Sequence, residues 1–168
     1  MEAHQSLTFR FDPCQTPVEA SERSARLVDP GFGRVFTDHM ALIRYSDDKG
    51  WHDAQITARV PLSVDPAASV LHYAQEIFEG MKAYRLADGG TALFRPEANA
   101  RRFQDSARRM AMPELPERLF LESVERLALE PDLSAWAMIK SVAIGPGAVR
   151  PSELPRPRRW PASDNEGP

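Results

Sequence analysis

Alternating apolar and polar residues indicate two β-hairpins in the first half of the chain. The first has strand character from His39 to Tyr45 and again from Trp51 to Val60, with SDDKG as its turn. The second pairs Phe78 to Arg85 with TALFR at 91–95 across an ADGG turn. Between the hairpins, SVLHYAQEIF at 69–78 predicts one short helical turn.

Apolar residues at intervals of three and four predict two helices after the hairpins. The first covers 96–111 and begins at Pro96, whose missing amide proton costs nothing at the first helical position. Its apolar face consists of Ala100, Phe103, Ala107 and Met110. The second covers 116–129 and turns Leu119, Val124 and Leu127 inward. Hairpins followed by helices predict an α+β fold with two layers, not a parallel sheet with alternating crossovers.

Composition along the 168 residues predicts one domain with two flanking segments. Residues 1–35 lack a clear period and read as an N-terminal arm, with Leu7 to Phe11 as its strand candidate. The α+β domain is expected over 36–150. From 151 to 168, prolines stand among charged residues, a composition typical of a disordered tail.

Charge and cysteine content narrow the range of partners and compartments. The formal net charge is −3 and the basic residues are dispersed, so neither nucleic acid nor an anionic membrane is an expected partner. Cys14 is the only cysteine, which excludes an internal disulfide and fits a reducing compartment. No run approaches the roughly 18 apolar residues of a membrane span. These features predict a soluble, cytoplasmic protein that binds a small molecule or another protein.

No residue pattern in the sequence identifies a catalysed reaction by itself. The four histidines are far apart in sequence, so a metal site is not expected, and each is assigned a structural role: His4, His39, His52 and His72. GPG at 145–147 is too short for a phosphate loop, and no serine has the flanks of a nucleophile elbow. Composition and period therefore predict a two-layer domain of undefined role.

Four segments, in order along the chain, resemble the branched-chain amino-acid aminotransferases, which are pyridoxal-phosphate enzymes of the class IV fold. They are PGFGRVFTDHM at 30–40, LHYAQEIFEGMKAYR at 71–85, LFRPEANARRFQDSARRMAMPELP at 93–116 and, more loosely, GAVRPSE at 147–153. The resemblance implies the small N-terminal domain of this family. It also implies a large C-terminal domain in the complete enzyme, which these residues do not include.

The resemblance implies roles for several residues. Arg102, within ARRF, matches the arginine that holds the cofactor's phosphate, a task suited to a guanidinium fork that stays charged. Phe32, Tyr73 and Phe78 match three aromatic residues that wall the pocket for the branched side chain. Glu79 and Gly80 complete the FEG signature and are assigned a structural role, in which the glycine permits close approach.

The family's Schiff-base lysine lies in its second domain, so no catalytic residue is assigned here. The chain's three lysines are Lys49, Lys82 and Lys140, and none matches that position. Relatives also read approximately Tyr-Leu-Arg-Pro where this chain has MIKS at 138–141. The resemblance thus implies a truncated or degenerate branched-chain aminotransferase that is inactive alone.

Two further readings remain open at this point. The complete family transfers an amino group between leucine, isoleucine or valine and 2-oxoglutarate, and its members are at least dimers. The alternative to an enzyme fragment is therefore a non-catalytic binding or assembly module that pairs with itself or with a full-length relative. D-amino-acid aminotransferases and aminodeoxychorismate lyases share the class, but FTDHM and FEGMKAYR favour the branched-chain enzymes.

Overall fold

The computed structural model describes residues 7–31, 33–88 and 90–128, together with the backbone of a strand at 138–144. Within these ranges, four helices accompany two three-stranded sheets. The elements in chain order are β1 Arg10–Phe11, α1 Ala20–Arg26, β2 His39–Ser46, β3 Gly50–Ala58, α2 Ser69–Tyr73, β4 Glu76–Arg85, β5 Thr91–Leu93, α3 Pro96–Arg109, α4 Glu117–Ala128 and β6 Met138–Ile144. The predicted α+β class is confirmed. The predicted tail at 151–168 lies outside the described residues.

The first sheet is built on the first predicted hairpin and has the order β1-β3-β2. Strands β2 and β3 pair antiparallel, and the register shifts between Leu42 and Arg44. Opposite this shift, Asp53 adopts a left-handed φ of 52° and its carboxylate accepts a hydrogen bond from Arg44 Nε at 3.0 Å. Such a shift with one left-handed residue is the geometry of a β-bulge, which bends the edge of the sheet.

The second sheet has β4 at its centre, in the order β5-β4-β6, and both pairings are antiparallel. Its hairpin was predicted, but the β6 partner was not. Strand β6 runs along the first seven residues of β4, from Glu76 opposite Ile144 to Lys82 opposite Met138. The residues of the FEG signature therefore lie in a central strand.

The helices pack against these sheets to form one core. Helix α3 lies on β4, and α4 contacts α3 and the first sheet. On α3 the predicted apolar face is buried at Ala100, Phe103 and Ala107, while Met110 is only partly buried at the helix end. Phe103 and Phe120 meet with ring centroids 5.3 Å apart, which joins the two helices at the centre of the core.

The N-terminal segment contributes to this core. Phe9 is buried, and Arg10 and Phe11 pair in parallel with Gln55 and Ile56 of β3. Arg118 of α4 donates a hydrogen bond to the carbonyl oxygen of Leu7 at 3.2 Å. The seven-residue helix α1 was not predicted, because it buries no residue and so has no apolar face to detect.

Candidate functional site

The centre of the candidate site is a carboxylate buried between β4 and α3. Side chains alternate across a strand, so Ile77 and Glu79 face α3 while Phe78 faces the other side. The exposed fraction is 5% for Ile77 and 4% for Glu79, against 59% for Phe78. A carboxylate in this position must be paired, because burial of an isolated charge is strongly unfavourable.

Arg102 of α3 is the partner of Glu79. Its Nε donates to Oε2 of Glu79 at 2.7 Å, and its Nη2 donates to Oε1. The backbone N–H of Gly80 also donates to Oε1, at 3.0 Å. One helical turn earlier, Asn99 Nδ2 donates to the carbonyl oxygen of Gly80 at 3.3 Å. The bidentate pair and the Asn99 contact together fix α3 on the FEG segment of β4.

The pair keeps both groups charged. Burial alone would raise the pKa of Glu79, but hydrogen bonds from Arg102, Gly80 and Asn99 outweigh it, so the pKa lies below its ordinary value of 4.5. The hydrogen bonds to Glu79, followed by its charge, raise the pKa of Arg102. At neutral pH the site therefore holds a buried carboxylate and a guanidinium in one fixed geometry.

Arg102 presents its second edge to the outside. The guanidinium has five N–H groups in one plane, and Glu79 uses the edge formed by Nε and Nη2. The Arg102 side chain is 67% exposed, while that of Glu79 is 4% exposed. The fork formed by Nη1 and Nη2 is thus available to a bidentate anion such as a phosphate.

The structure describes two of the three predicted pocket rings, and neither is enclosed. Phe78 leans over Gly80, and a Cβ on that glycine would lie 3.4 Å from Phe78 Cζ, an ordinary contact distance. A side chain at residue 80 would therefore have room beside this ring, and the structural role expected of Gly80 stays a prediction. Tyr73 ends α2 and is 81% exposed, with the His72 ring 6.3 Å away. Phe32 lies outside the described residues.

Lys49 and Lys82 lie away from the Glu79–Arg102 pair. Lys49 lies in the turn between β2 and β3, and Lys82 is exposed on the face of β4 opposite Glu79. The backbone of Lys140 pairs with Gly80. Over the described ranges, no group of three or more His, Cys, Asp and Glu side chains is placed to hold a metal ion. No helix in those ranges is long and apolar enough to cross a membrane.

Sequence reasoning assigned Glu79 a structural role and overlooked its link to Arg102. The signal was present in the alternation of β4, which places an acidic residue on the same face as Ile77. Asn99 precedes Arg102 by three residues on the same side of α3, so these two polar residues were candidates to meet that acid.

Sequence comparison finds relatives that cover part of this chain, although no protein-family model matches it. A probable branched-chain-amino-acid aminotransferase of Streptomyces coelicolor is 58% identical over 102 residues, which are 61% of this chain and 28% of that protein. The branched-chain-amino-acid aminotransferase of Mycolicibacterium smegmatis is 54% identical over 103 residues, again 61% and 28%. This chain thus spans little more than a quarter of the length of these relatives.

Among solved structures, the branched-chain amino acid aminotransferase of Escherichia coli gives a TM-score of 0.47 at 22% identity, covering 58% of this chain and 34% of that one. The enzyme of Thermobaculum terrenum gives 0.42 at 24% identity, covering 48% and 27%. The relationship therefore rests on the sequence identities. By that measure, the chain is similar to the N-terminal part of the branched-chain-amino-acid aminotransferases.

Proposed function

We propose that this chain is the small-domain portion of a branched-chain amino-acid aminotransferase and that Arg102 anchors the phosphate of pyridoxal 5′-phosphate. The observation that carries the proposal is the outward fork of Arg102, held from behind by the buried Glu79. The residues also satisfy the chemistry of the cofactor's phosphate, since a guanidinium edge binds two phosphate oxygens at once. When bound, pyridoxal phosphate supplies the electron sink for amino-group transfer.

The aromatic residues have a complementary role in this proposal. Phe32, Tyr73 and Phe78 form one wall of the pocket for a branched aliphatic side chain, and they exclude water from it. Tyr73 and Phe78 are 81% and 59% exposed, so further residues of a complete enzyme must cover them. That enzyme exchanges an amino group between leucine, isoleucine or valine and 2-oxoglutarate.

The 168 residues alone do not transaminate under this proposal. None of the three lysines, Lys49, Lys82 or Lys140, corresponds to the family's catalytic lysine. In this proposal the residues divide into an arm at 1–35, the small domain at 36–150 and a tail at 151–168. A cytoplasmic location and a homodimer belong to the same proposal.

A chimera tests whether these residues function as a small domain. The 102 matched residues of the Streptomyces coelicolor relative would be replaced by those of this chain. We expect the chimera to transaminate leucine with 2-oxoglutarate, and the 168-residue chain alone to form no steady glutamate. Arg102→Ala in the chimera should weaken affinity for pyridoxal 5′-phosphate about 10- to 100-fold, because it removes charge-assisted hydrogen bonds. The measurements are glutamate formation and cofactor titration.

Arg101→Ala is the matched control in the chimera. Arg101 precedes Arg102 on α3, is 59% exposed and forms a long 3.9 Å ion pair with Glu117, so its loss should leave cofactor affinity unchanged. Equal affinities in the two variants would contradict the role of Arg102. Steady transamination by the 168-residue chain alone would contradict the inactive assignment.

A second candidate function is assembly without catalysis. Several large apolar side chains are exposed, which favours association with another protein surface: Leu71 60%, Tyr73 81%, Phe78 59% and Phe94 73%. In this reading the chain binds a second copy of itself or a full-length relative.

Size-exclusion chromatography with light scattering tests the assembly candidate. We expect a dimer, or co-elution with the Streptomyces coelicolor relative, because association removes the exposed rings from water. Phe78→Ser should shift the equilibrium toward monomer, and Leu86→Ser, at another exposed position outside that set, serves as the control. A clean monomer at high concentration with no co-elution would reject this candidate.

A further inference from the structure

Glu79 is the one carboxylate among the buried residues that the structure describes. Its oxygens accept two hydrogen bonds from Arg102 and a third from the backbone N–H of Gly80. The third bond comes from the strand itself, so the carboxylate is fixed in position independently of Arg102. Glu79 is therefore a rigid support to which the arginine is attached.

The ion pair with Glu79 occupies one hydrogen-bonding edge of the guanidinium and leaves the other edge for a ligand. Nε and one N–H of Nη2 face Glu79, and the remaining N–H groups of Nη1 and Nη2 face outward. A free arginine loses side-chain entropy when it binds an anion, because its long stem must adopt one conformation. Here the ion pair has already imposed that conformation.

We propose that Glu79 is a positioning residue for anion binding by Arg102, which fixes one edge of the guanidinium so that the other meets two oxygens of a phosphate group. This inference rests on the proposed function, in which Arg102 is the phosphate anchor. The depressed pKa of Glu79 supports it, since the carboxylate stays ionised at neutral pH.

Two roles of Glu79 make opposite predictions for Glu79→Gln. A carboxylate that acts only through its charge repels phosphate, so its removal would tighten binding. A positioning carboxylate holds the fork in place. A glutamine side chain has one oxygen and cannot accept from both Nε and Nη2 in the same way, so its introduction would loosen the fork and weaken binding. The sign of the change therefore separates the two roles.

The experiment uses the 168-residue chain, titrated with inorganic phosphate and with pyridoxamine 5′-phosphate, which cannot form an imine with surface lysines. Pyridoxamine without the phosphate is the ligand control. Dissociation constants come from NMR shifts of α3 amides and of the Arg102 Nε–H signal, assigned by its loss in Arg102→Lys. We expect Glu79→Gln to weaken both phosphate ligands about three- to tenfold, the scale of ordering one long side chain. Glu125→Gln, an exposed α4 residue, should bind like the wild type.

The Nε–H signal gives a readout that does not depend on affinity. In the wild type it should be protected from exchange, and it should remain protected when phosphate binds, because Glu79 keeps its edge. In Glu79→Gln the protection should disappear. Loss of protection in the wild type on phosphate addition would show Glu79 displaced as a competitor, which overturns the inference even if the variant fails to fold.

The outcomes separate this inference from the proposed function. Equal phosphate affinity in the wild type and Arg102→Lys, or no phosphate binding at all, would overturn both proposals: that Arg102 anchors the phosphate and that Glu79 positions Arg102. Binding that depends on Arg102 but is unchanged or tighter in Glu79→Gln would overturn the positioning role alone. Weaker binding in Glu79→Gln with unchanged Glu125→Gln would support it.

Discussion

Replacing Phe9 by alanine is expected to lower the free energy of unfolding by about 3 kcal/mol, which is a large part of the stability of a small domain. The ring is 9% exposed and belongs to the core cluster, and the Arg126 guanidinium of α4 lies 5.5 Å from its centroid. Truncation removes buried apolar area and leaves a cavity where β1 meets α4. Urea unfolding followed by circular dichroism measures the change.

Phe11→Ala is the matched control, since it removes the same atoms two residues further along. The Phe11 ring is 50% exposed and stacks on His39, with centroids 5.5 Å apart. We expect it to cost at most about 1 kcal/mol. Equal losses in the two variants would mean that the N-terminal segment does not contribute to the core as described.

The elements that the sequence predicted are those whose residue pattern lies within a short stretch of the chain. The two hairpins carry alternation and turn residues within a few positions, and the buried face of α3 follows from the spacing of Ala100, Phe103 and Ala107. Strand β6 was missed because its partner β4 lies about sixty residues earlier in sequence, and no local pattern specifies that pairing. The packing of Phe9 against α4 depends on equally distant residues.

The site was predicted by a different route. Helix α3 contains several arginines, and residue type alone does not distinguish them. Only the resemblance to the family identifies Arg102 as the phosphate-binding arginine. Its distinguishing feature is Glu79, a residue 23 positions away that only the docking of α3 on β4 brings within hydrogen-bond distance. The enclosure of the aromatic residues could not be judged from residue type, since Tyr73 and Phe78 are exposed in this chain.

Arg102→Met is expected to lower the free energy of unfolding by about 1–2 kcal/mol at neutral pH, and this loss should shrink as the pH falls. Methionine keeps an unbranched stem but leaves the buried carboxylate of Glu79 without its main partner. The estimate is at the low end for charge-assisted bonds because Arg102 is 67% exposed and solvent screens the pair. Urea unfolding at a series of pH values measures the difference.

The pH dependence follows from the direction of the Glu79 shift. In the wild type its pKa is lower in the folded chain than its ordinary 4.5, so the pair's contribution is complete above that pH and is lost as the pH falls through the folded value. In Arg102→Met the largest lowering influence is gone, so the folded pKa rises and Glu79 is protonated at higher pH. Wild type and variant should therefore converge in acid, where both carry a neutral Glu79. Arg101→Met removes a side chain that is 59% exposed and forms a 3.9 Å ion pair with Glu117, so it should differ little from the wild type at any pH. The contrary outcome is a difference in unfolding free energy between the wild type and Arg102→Met that stays constant down to well below pH 4.5. That result would show that the arginine stabilises the fold by packing and not through the carboxylate.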